Sequence, residues 1–388
     1  MREEMNPMTE EQKFQMIHEI SMKFMCTPCP ETKMLSLAYN AAVSEEARAL
    51  HRESIVVDTC GFGLEDYGWH LEQAGLSAIN CTVPGVKDSA DGAMRSFFDY
   101  YETVNDNSDK LMFIRTVDDI YRAKREGKTG VIIGAQSCEF VDHDELEASL
   151  EVFARAGLRI MQIGYNHRTF AADGCFTGTD AGITKDGRRL IRAMERAGVI
   201  VDLSHVGRKS SLEAMDYCEK PAIFSHSNPD KLFPTPRNIT DEQIKKCAER
   251  GGVMGVCSYN VMLWNGREFP TIDHFVDCIA YYADLVGIDH VGLGVDSSIT
   301  PGSYPHREVL YFSKLARSQG DSSFAYKSAT AGRGLFGKFP EGLESHANIP
   351  CVVDRMLKRG FSKEDVKKVL GENWIRVFAQ WWNGGEET

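Results

Sequence analysis

The chain has 388 residues, 43% of them hydrophobic, and a formal net charge of −12. That is enough sequence for one large α/β barrel or two medium domains. The acidic balance argues against a nucleic-acid-binding face and against an anionic membrane surface, and no stretch approaches the ~20 apolar residues that a spanning helix needs.

The chain opens on a charged, polar run, Met1 to Lys13, without the basic region and apolar core of a secretory signal. It ends on Trp381-Trp382-Asn383-Gly384-Gly385-Glu386-Glu387-Thr388, with no hydrophobic tail, so no lipid anchor is expected. The 11 cysteines are odd in number and scattered, so free thiols in a reducing, cytoplasmic compartment are expected. Cys26 and Cys29 form a single C-x-x-C with no second pair to complete a zinc site.

Glu10 to Phe24 place Phe14, Ile17, Ile20 and Phe24 at helical spacing. A second helix is expected over Ser44 to His51, with Ser44 as its N-cap. Residues 1–50 therefore read as an N-terminal helical extension, and 51–388 as the catalytic domain.

From Ser54 a rhythm of short buried-type strands and helical spacers begins. The strands are Ile55–Asp58, Ser77–Thr82, Val131–Ala135, Arg159–Ile163, Val199–Leu203, Ala222–Phe224, Val253–Cys257 and Val291–Val295. Helical patterns over Arg188–Ala197, Arg208–Cys218, Asp241–Arg250 and Ile272–Val286 separate several of them, and glycines mark the returns. Eight strands alternating with helices predict an α/β fold of the (β/α)8 TIM-type barrel class; a doubly wound open sheet is the alternative. No G-x-G-x-x-G follows the first strand, which weakens a dinucleotide-binding reading. A loop-rich stretch, residues 297–350, then reads as a lid or an insertion. A helix from Ser362, with Asp365 completing a capping box, and a last helix over Glu372 to Trp381 close the chain.

Two of these strands end in a Ser-His pair, at His205 and His226. They flank one helix, so they form a strand–helix–strand unit with parallel strands, and both imidazoles leave the sheet at one edge. There they can converge on a metal ion or a substrate; the plainer reading is two histidines capping strands. Other strand ends carry Asp58-Thr59-Cys60, Gln136, Tyr165-Asn166-His167, Ser258-Tyr259 and Asp296. Imidazoles and a carboxylate around one open position are what a metal-assisted hydrolase needs. His205, His226 and Asp296 supply that minimum.

V-D-L-S-H-V-G (201–207), F-S-H-S (224–227), R-N-I-T-D (237–241), G-G-V-M-G-V (251–256) and I-D-H-V-G-L-G-V-D (288–296) resemble the renal (membrane) dipeptidase family of zinc peptidases. The helix pattern over 182–198 is similar too, and the resemblance covers roughly residues 51–380. It implies a (β/α)8 barrel, two zinc ions bridged by a glutamate, and hydrolysis of dipeptides and related small amides. On that likeness His205 and His226 match ligands of the second zinc. Asp296 matches the carboxylate that serves the first zinc and the proton transfer. Arg237, with Asn238 beside it, matches the position that holds the substrate carboxylate.

The first half departs from that pattern. Where the family has Asp-x-His-x-Asp, this chain has Asp58-Thr59-Cys60-Gly61-Phe62. Gln136 stands for the bridging glutamate and Tyr165 for the substrate-facing histidine. Phe62 has no ligand atom, and a neutral Gln136 cannot offset two divalent charges a few Å apart. One zinc is therefore expected rather than two, on His205 and His226 with Cys60 or Asp296, and with Gln136 at the same corner. Two alternatives stay open: no metal, with Cys60 and Phe62 filling the place; or a replacement ligand from Glu139, His143 or His167.

The expected activity is zinc-assisted hydrolysis of a dipeptide-like or small amide substrate, with Asp296 as base and Arg237 as carboxylate anchor. A non-peptidase isomerase, tautomerase or lyase working by proton transfer through Tyr165, His205, His226 and Asp296 is the alternative, and a silent binding protein a third. Relatives of this kind are commonly homodimers. No nucleic-acid or membrane partner is expected.

Overall fold

The computed structural model describes residues 30–64, 68–265, 270–298, 340–343 and 345–382. The expected helix Glu10–Phe24, the Cys26/Cys29 pair and most of the loop-rich segment, 299–339, lie outside the described residues.

Among the described residues nine strands form one sheet: β1 Val57–Phe62, β2 Ala78–Thr82, β3 Leu111–Phe113, β4 Thr129–Ala135, β5 Leu158–Gln162, β6 Ile200–Asp202, β7 Met254–Val256, β8 Val291–Leu293 and β9 Ser297–Ser298. Their order is β6-β5-β4-β2-β1-β8-β7, with β3 beside β4 and β9 beside β1. Every pair is parallel. Parallel neighbours need a crossover, and the helices supply it. Helices on the outer face explain why β4 is buried along its whole length, as its near-continuous apolar sequence requires.

The segment 222–224 was expected as a strand. It is instead a pair of isolated parallel bridges, Ile223 to Asp202 on β6 and Phe224 to Met254 on β7. Both edge strands of the sheet thus meet the same three residues. The reason for the brevity is visible at Ser225, whose carbonyl turns inward. A Cβ placed on Gly255 would lie 2.0 Å from Ser225 O, and one on Gly294 would lie 1.8 Å from it. Only glycine at both positions lets this backbone approach, which sets the direction of His226. β3 was not expected; three residues are too short for a periodic signal.

The helices follow their sequence signals closely. Ser44 caps Glu45–Glu53 by accepting from Ala47 N. Ser362 and Asp365 form a complete capping box on Lys363–Lys367. Ile272–Val286 has the expected bounds, while Lys185–Ala197 begins a turn earlier than Arg188 because Thr184 is its N-cap. Of the N-terminal extension, Pro30–Ala41 and Glu45–Glu53 are described. Among the described residues no helix is long and apolar enough to cross a membrane.

Candidate metal and active site

All strands run the same way, so their C-terminal ends share one edge. Cys60 on β1 and Gln136 after β4 lie there, with Tyr165 after β5, His205 after β6, His226 after Phe224 and Asp296 after β8. Asn166, His205 and Asp296 all have positive φ, at 59°, 65° and 57°. Asn, His and Asp tolerate this left-handed conformation better than other side chains, yet it carries strain. Every described non-glycine residue with positive φ is therefore at this edge.

The two histidines meet. His205 Nε2 and His226 Nε2 are 3.0 Å apart, with the ring of Tyr165 stacked on His205 at 4.2 Å between centroids. Each ring is set by its other nitrogen. His205 Nδ1 lies 2.6 Å from Asn166 Oδ1, an oxygen that only accepts, so Nδ1 carries the proton. Ser225 Oγ donates to Asp202 Oδ2 at 2.5 Å, since a carboxylate only accepts. It must then accept from His226 Nδ1–H at 2.7 Å. Asp202 is itself pinned by the amides of Ser204 and Ser225. Burial, then the charge of Arg237, holds both imidazoles well below their usual pKa, so both are neutral.

Two neutral imidazoles protonated on Nδ1 direct two Nε2 lone pairs at each other. Such a pair repels unless a cation joins it. Two imidazole nitrogens on one zinc, at about 2.05 Å each, lie roughly 3.3 Å apart at a tetrahedral angle. The observed 3.0 Å is close to that spacing, so the residues present fit a metal ion.

The remaining donors lie beside it. Among the described residues, ligand atoms of Cys60, His226 and Asp296 all lie within 4.8 Å of one another. Cys60 Sγ is 3.3 Å from Asp296 Oδ1, and Cys257 Sγ is 3.8 Å from Asp296 Oδ2. Burial, then the Asp296 and Asp58 carboxylates, pushes the Cys60 thiol well above its usual range. A divalent cation reverses that logic and makes a thiolate ligand. Gln136 Nε2 donates to Thr82 Oγ1 at 3.0 Å and to Cys60 Sγ at 3.3 Å, so this corner is held by neutral hydrogen bonds.

Arg237 is buried, with Nη1 on Ser227 Oγ at 3.0 Å and Nη2 on His226 O at 2.8 Å. Asn238 is placed differently. Its Nδ2 donates to Phe233 O and Met262 O and so ties the loop together, while its Oδ1 is buried without a hydrogen-bond partner. Glu139 and His143 are exposed, and neither they nor His167 belong to the donor group above.

Sequence reasoning gave no role to Asn166, Asp202, Ser225, Cys257 or His346. The first three were legible in part, since each neighbours a candidate or closes its strand. His346 was not. Its Nε2 lies 2.6 Å from Asp58 Oδ2, with both side chains fully buried. Asp58 is thus committed to that pair, inside β1.

The family model of the membrane dipeptidases, peptidase family M19, matches residues 78–303 and 334–385. The dipeptidase tcpJ of Claviceps purpurea is 28% identical over 275 residues, which is 70% of this chain and 56% of that protein. The dipeptidase verJ of Clonostachys rogersoniana is 25% identical over 275 residues, 70% of this chain and 60% of that protein. The chain thus spans little more than half the length of these relatives. A crystal structure of an amidohydrolase from Pseudomonas aeruginosa is 32% identical, with a TM-score of 0.75, and the match covers 87% of this chain and 99% of that one. A metallo peptidase from Rhodobacter sphaeroides, solved with a phosphinate mimic of the dipeptide L-Ala-D-Ala, shares the fold at a TM-score of 0.68 and 19% identity, covering 85% of this chain and 100% of that one.

Proposed function

The chain belongs to the membrane dipeptidase family, peptidase family M19, and from that premise we propose that it is a metal-dependent hydrolase of a dipeptide-like or other small amide substrate. The observation that carries this reading is the pair of Nε2 atoms of His205 and His226, 3.0 Å apart, with donors of Cys60 and Asp296 within 4.8 Å of His226. The dipeptide mimic bound by the Rhodobacter sphaeroides relative supports the substrate class. The barrel reading, eight strands closed into a ring, is supported by the bridges from β6 and β7 to 222–224.

We assign one zinc rather than two. His205 and His226 hold it, with Cys60 or Asp296 completing the set. Gln136 and Phe62 offer neither the charge nor the ligand atom that a second ion needs. When bound, zinc supplies Lewis-acid polarisation of the amide and lowers the pKa of water. The chain's own residues do the rest. Asn166 and the Ser225–Asp202 pair orient the two imidazoles. Asp296 takes the proton of the attacking water and returns it to the leaving amine. Arg237 anchors a substrate carboxylate with the N–H groups that Ser227 and His226 leave free. Tyr165, stacked on His205, presents its hydroxyl to the reaction.

A second reading is proton-transfer chemistry, as in an isomerase or lyase, without metal. The hydrogen bonds of Gln136 to Cys60 and Thr82 favour it, because they fill one corner of the site. The cysteines Cys60, Cys81, Cys138, Cys175, Cys218, Cys247, Cys257, Cys278 and Cys351 are free thiols, which supports a cytoplasmic location. A homodimer belongs to the same proposal.

The deciding experiment is zinc per chain in the purified protein, together with turnover of a dipeptide panel. About one zinc and turnover of at least one dipeptide are expected. No zinc and no turnover with any added metal overturn the hydrolase reading.

A further inference from the structure

Asp58 and His346 are 288 positions apart in sequence and form a fully buried pair, Oδ2 to Nε2, at 2.6 Å. The other oxygen of Asp58 accepts from two backbone amides, Val295 N at 2.8 Å and Cys60 N at 3.2 Å. Val295 precedes Asp296, and Asp296 N in turn donates to Cys60 O at 2.9 Å. One carboxylate thus ties together the ends of β1 and β8, the ends that carry Cys60 and Asp296. His346 Nδ1 also lies 3.2 Å from Oγ of Ser297, the residue after Asp296.

The turn that carries His346 is itself clamped from outside the sheet. Ser36 Oγ donates to Asn348 Oδ1 at 2.9 Å, and Asn40 Nδ2 donates to Ala347 O at 2.7 Å. Both belong to the helix Pro30–Ala41. His70 Nδ1 lies 3.1 Å from Ser345 Oγ. Hydrogen bonds, joined through the backbone of the 345–348 turn, thus connect the N-terminal extension to the Cys60 and Asp296 backbone.

We propose that His346 is a positioning residue for the metal centre: through Asp58 it holds the Cys60 and Asp296 donors in register, and through the 345–348 turn it links them to the helix Pro30–Ala41. This rests on the metal-dependent reading above. The physical ground is the cost of a buried polar group left without its partner. Removing one member of a buried hydrogen-bonded pair leaves the other to find new contacts. The contacts left to Asp58 are the amides of Cys60 and Val295, so the disturbance goes to the donors.

The test uses the full chain, with zinc affinity measured by chelator competition and the absorption spectrum of the cobalt-substituted protein, which reports thiolate and carboxylate geometry. His346→Ala should weaken zinc binding about tenfold or more, the range seen when groups that orient ligands are removed, and should shift the cobalt spectrum. His346→Gln keeps an N–H donor and should recover most of both. His51→Ala, another buried histidine remote from the site, should lower the melting temperature yet keep wild-type affinity and spectrum. If His346→Ala does not fold, His346→Asn takes its place with the same expectation. Wild-type affinity and spectrum in the His346 variants, or an equal shift in His51→Ala, overturn the proposal. Failure of the wild-type chain to bind zinc or cobalt overturns the metal reading on which it stands.

Discussion

His205 and His226 face each other through Nε2 atoms 3.0 Å apart, while the Nδ1 of each is already committed, to Asn166 and to Ser225. Neither ring can turn away without breaking that bond. Replacing either histidine should therefore remove a ligand and not merely loosen the site. His205→Ala and His226→Ala should each weaken zinc binding by on the order of 100-fold or more, beyond the loss from an orienting group alone. Metal analysis after dialysis against a weak chelator measures this. Undiminished zinc content in both variants would place the ion elsewhere.

Gln136 meets Cys60 and Thr82 through its amide nitrogen, a donor where a bridging carboxylate would accept. Charge at this corner limits the number of ions, because repulsion between two divalent cations a few Å apart is large. The triple variant Cys60→His, Phe62→Asp, Gln136→Glu should take up about two zinc ions per chain, and Gln136→Glu alone should not. Two ions in the unaltered protein would show that a neutral corner suffices.

Asp296 has φ 57°, a conformation that asparagine also tolerates. Asp296→Asn thus removes the base without forcing the backbone. The variant should keep its fold and lose about 10²–10⁴ in kcat, the typical contribution of a positioned acid or base. Arg237→Lys should instead raise KM, since an ammonium cannot hold a carboxylate through two parallel bonds. Steady-state kinetics on one dipeptide separate the two. A kcat close to wild type in Asp296→Asn would assign the proton transfer to another group.

What could be read ahead of the structure follows from locality. His205 and His226 were legible because each ends a short apolar run, and a parallel unit sends both to one edge. Ser44 and Ser362 were legible as caps because the signal lies within four residues. The pair Asp58–His346 was not, because nothing near His346 marks its partner 288 positions away. Cys257 went unnoticed because the strand was expected to run to Cys257, one residue past its end at Val256, so Ser258 and Tyr259 were read as the residues that follow it. The brevity of 222–224 depends on a carbonyl turned inward, which no side-chain pattern encodes.

That inward carbonyl makes a sharp prediction for two glycines. A Cβ on Gly294 would lie 1.8 Å from Ser225 O, and its neighbours are backbone atoms that cannot rotate aside. Overpacking usually costs about 1–3 kcal/mol, and a backbone clash belongs at or beyond the top of that range. Gly294→Ala should lower the unfolding free energy by about 3 kcal/mol or more and disturb His226 with it. Gly178→Ala, where a Cβ meets nothing within 4 Å, is the matched control and should be nearly neutral. Denaturant unfolding of both variants measures the difference, and equal midpoints would mean that the backbone at Ser225 shifts freely.

His51 gives a pH dependence remote from the site. Burial first, then the charge of Lys124, lowers its pKa from 6.5 to about 4. The native state therefore binds this proton less readily than the unfolded chain. Between about pH 6.5 and pH 4 the unfolded state holds more protons, so stability falls as the pH falls through that window. At 1.36 kcal/mol per unit the loss is on the order of 3 kcal/mol, complete once the pH is below about 4. Above about pH 6.5 the residue contributes no slope. His51→Leu removes the titration, so its unfolding free energy should decline less steeply over that window than that of the unaltered protein. Urea unfolding at pH 7.5, 6, 5 and 4 compares the two slopes. Parallel curves would mean that His51 is protonated in the native state.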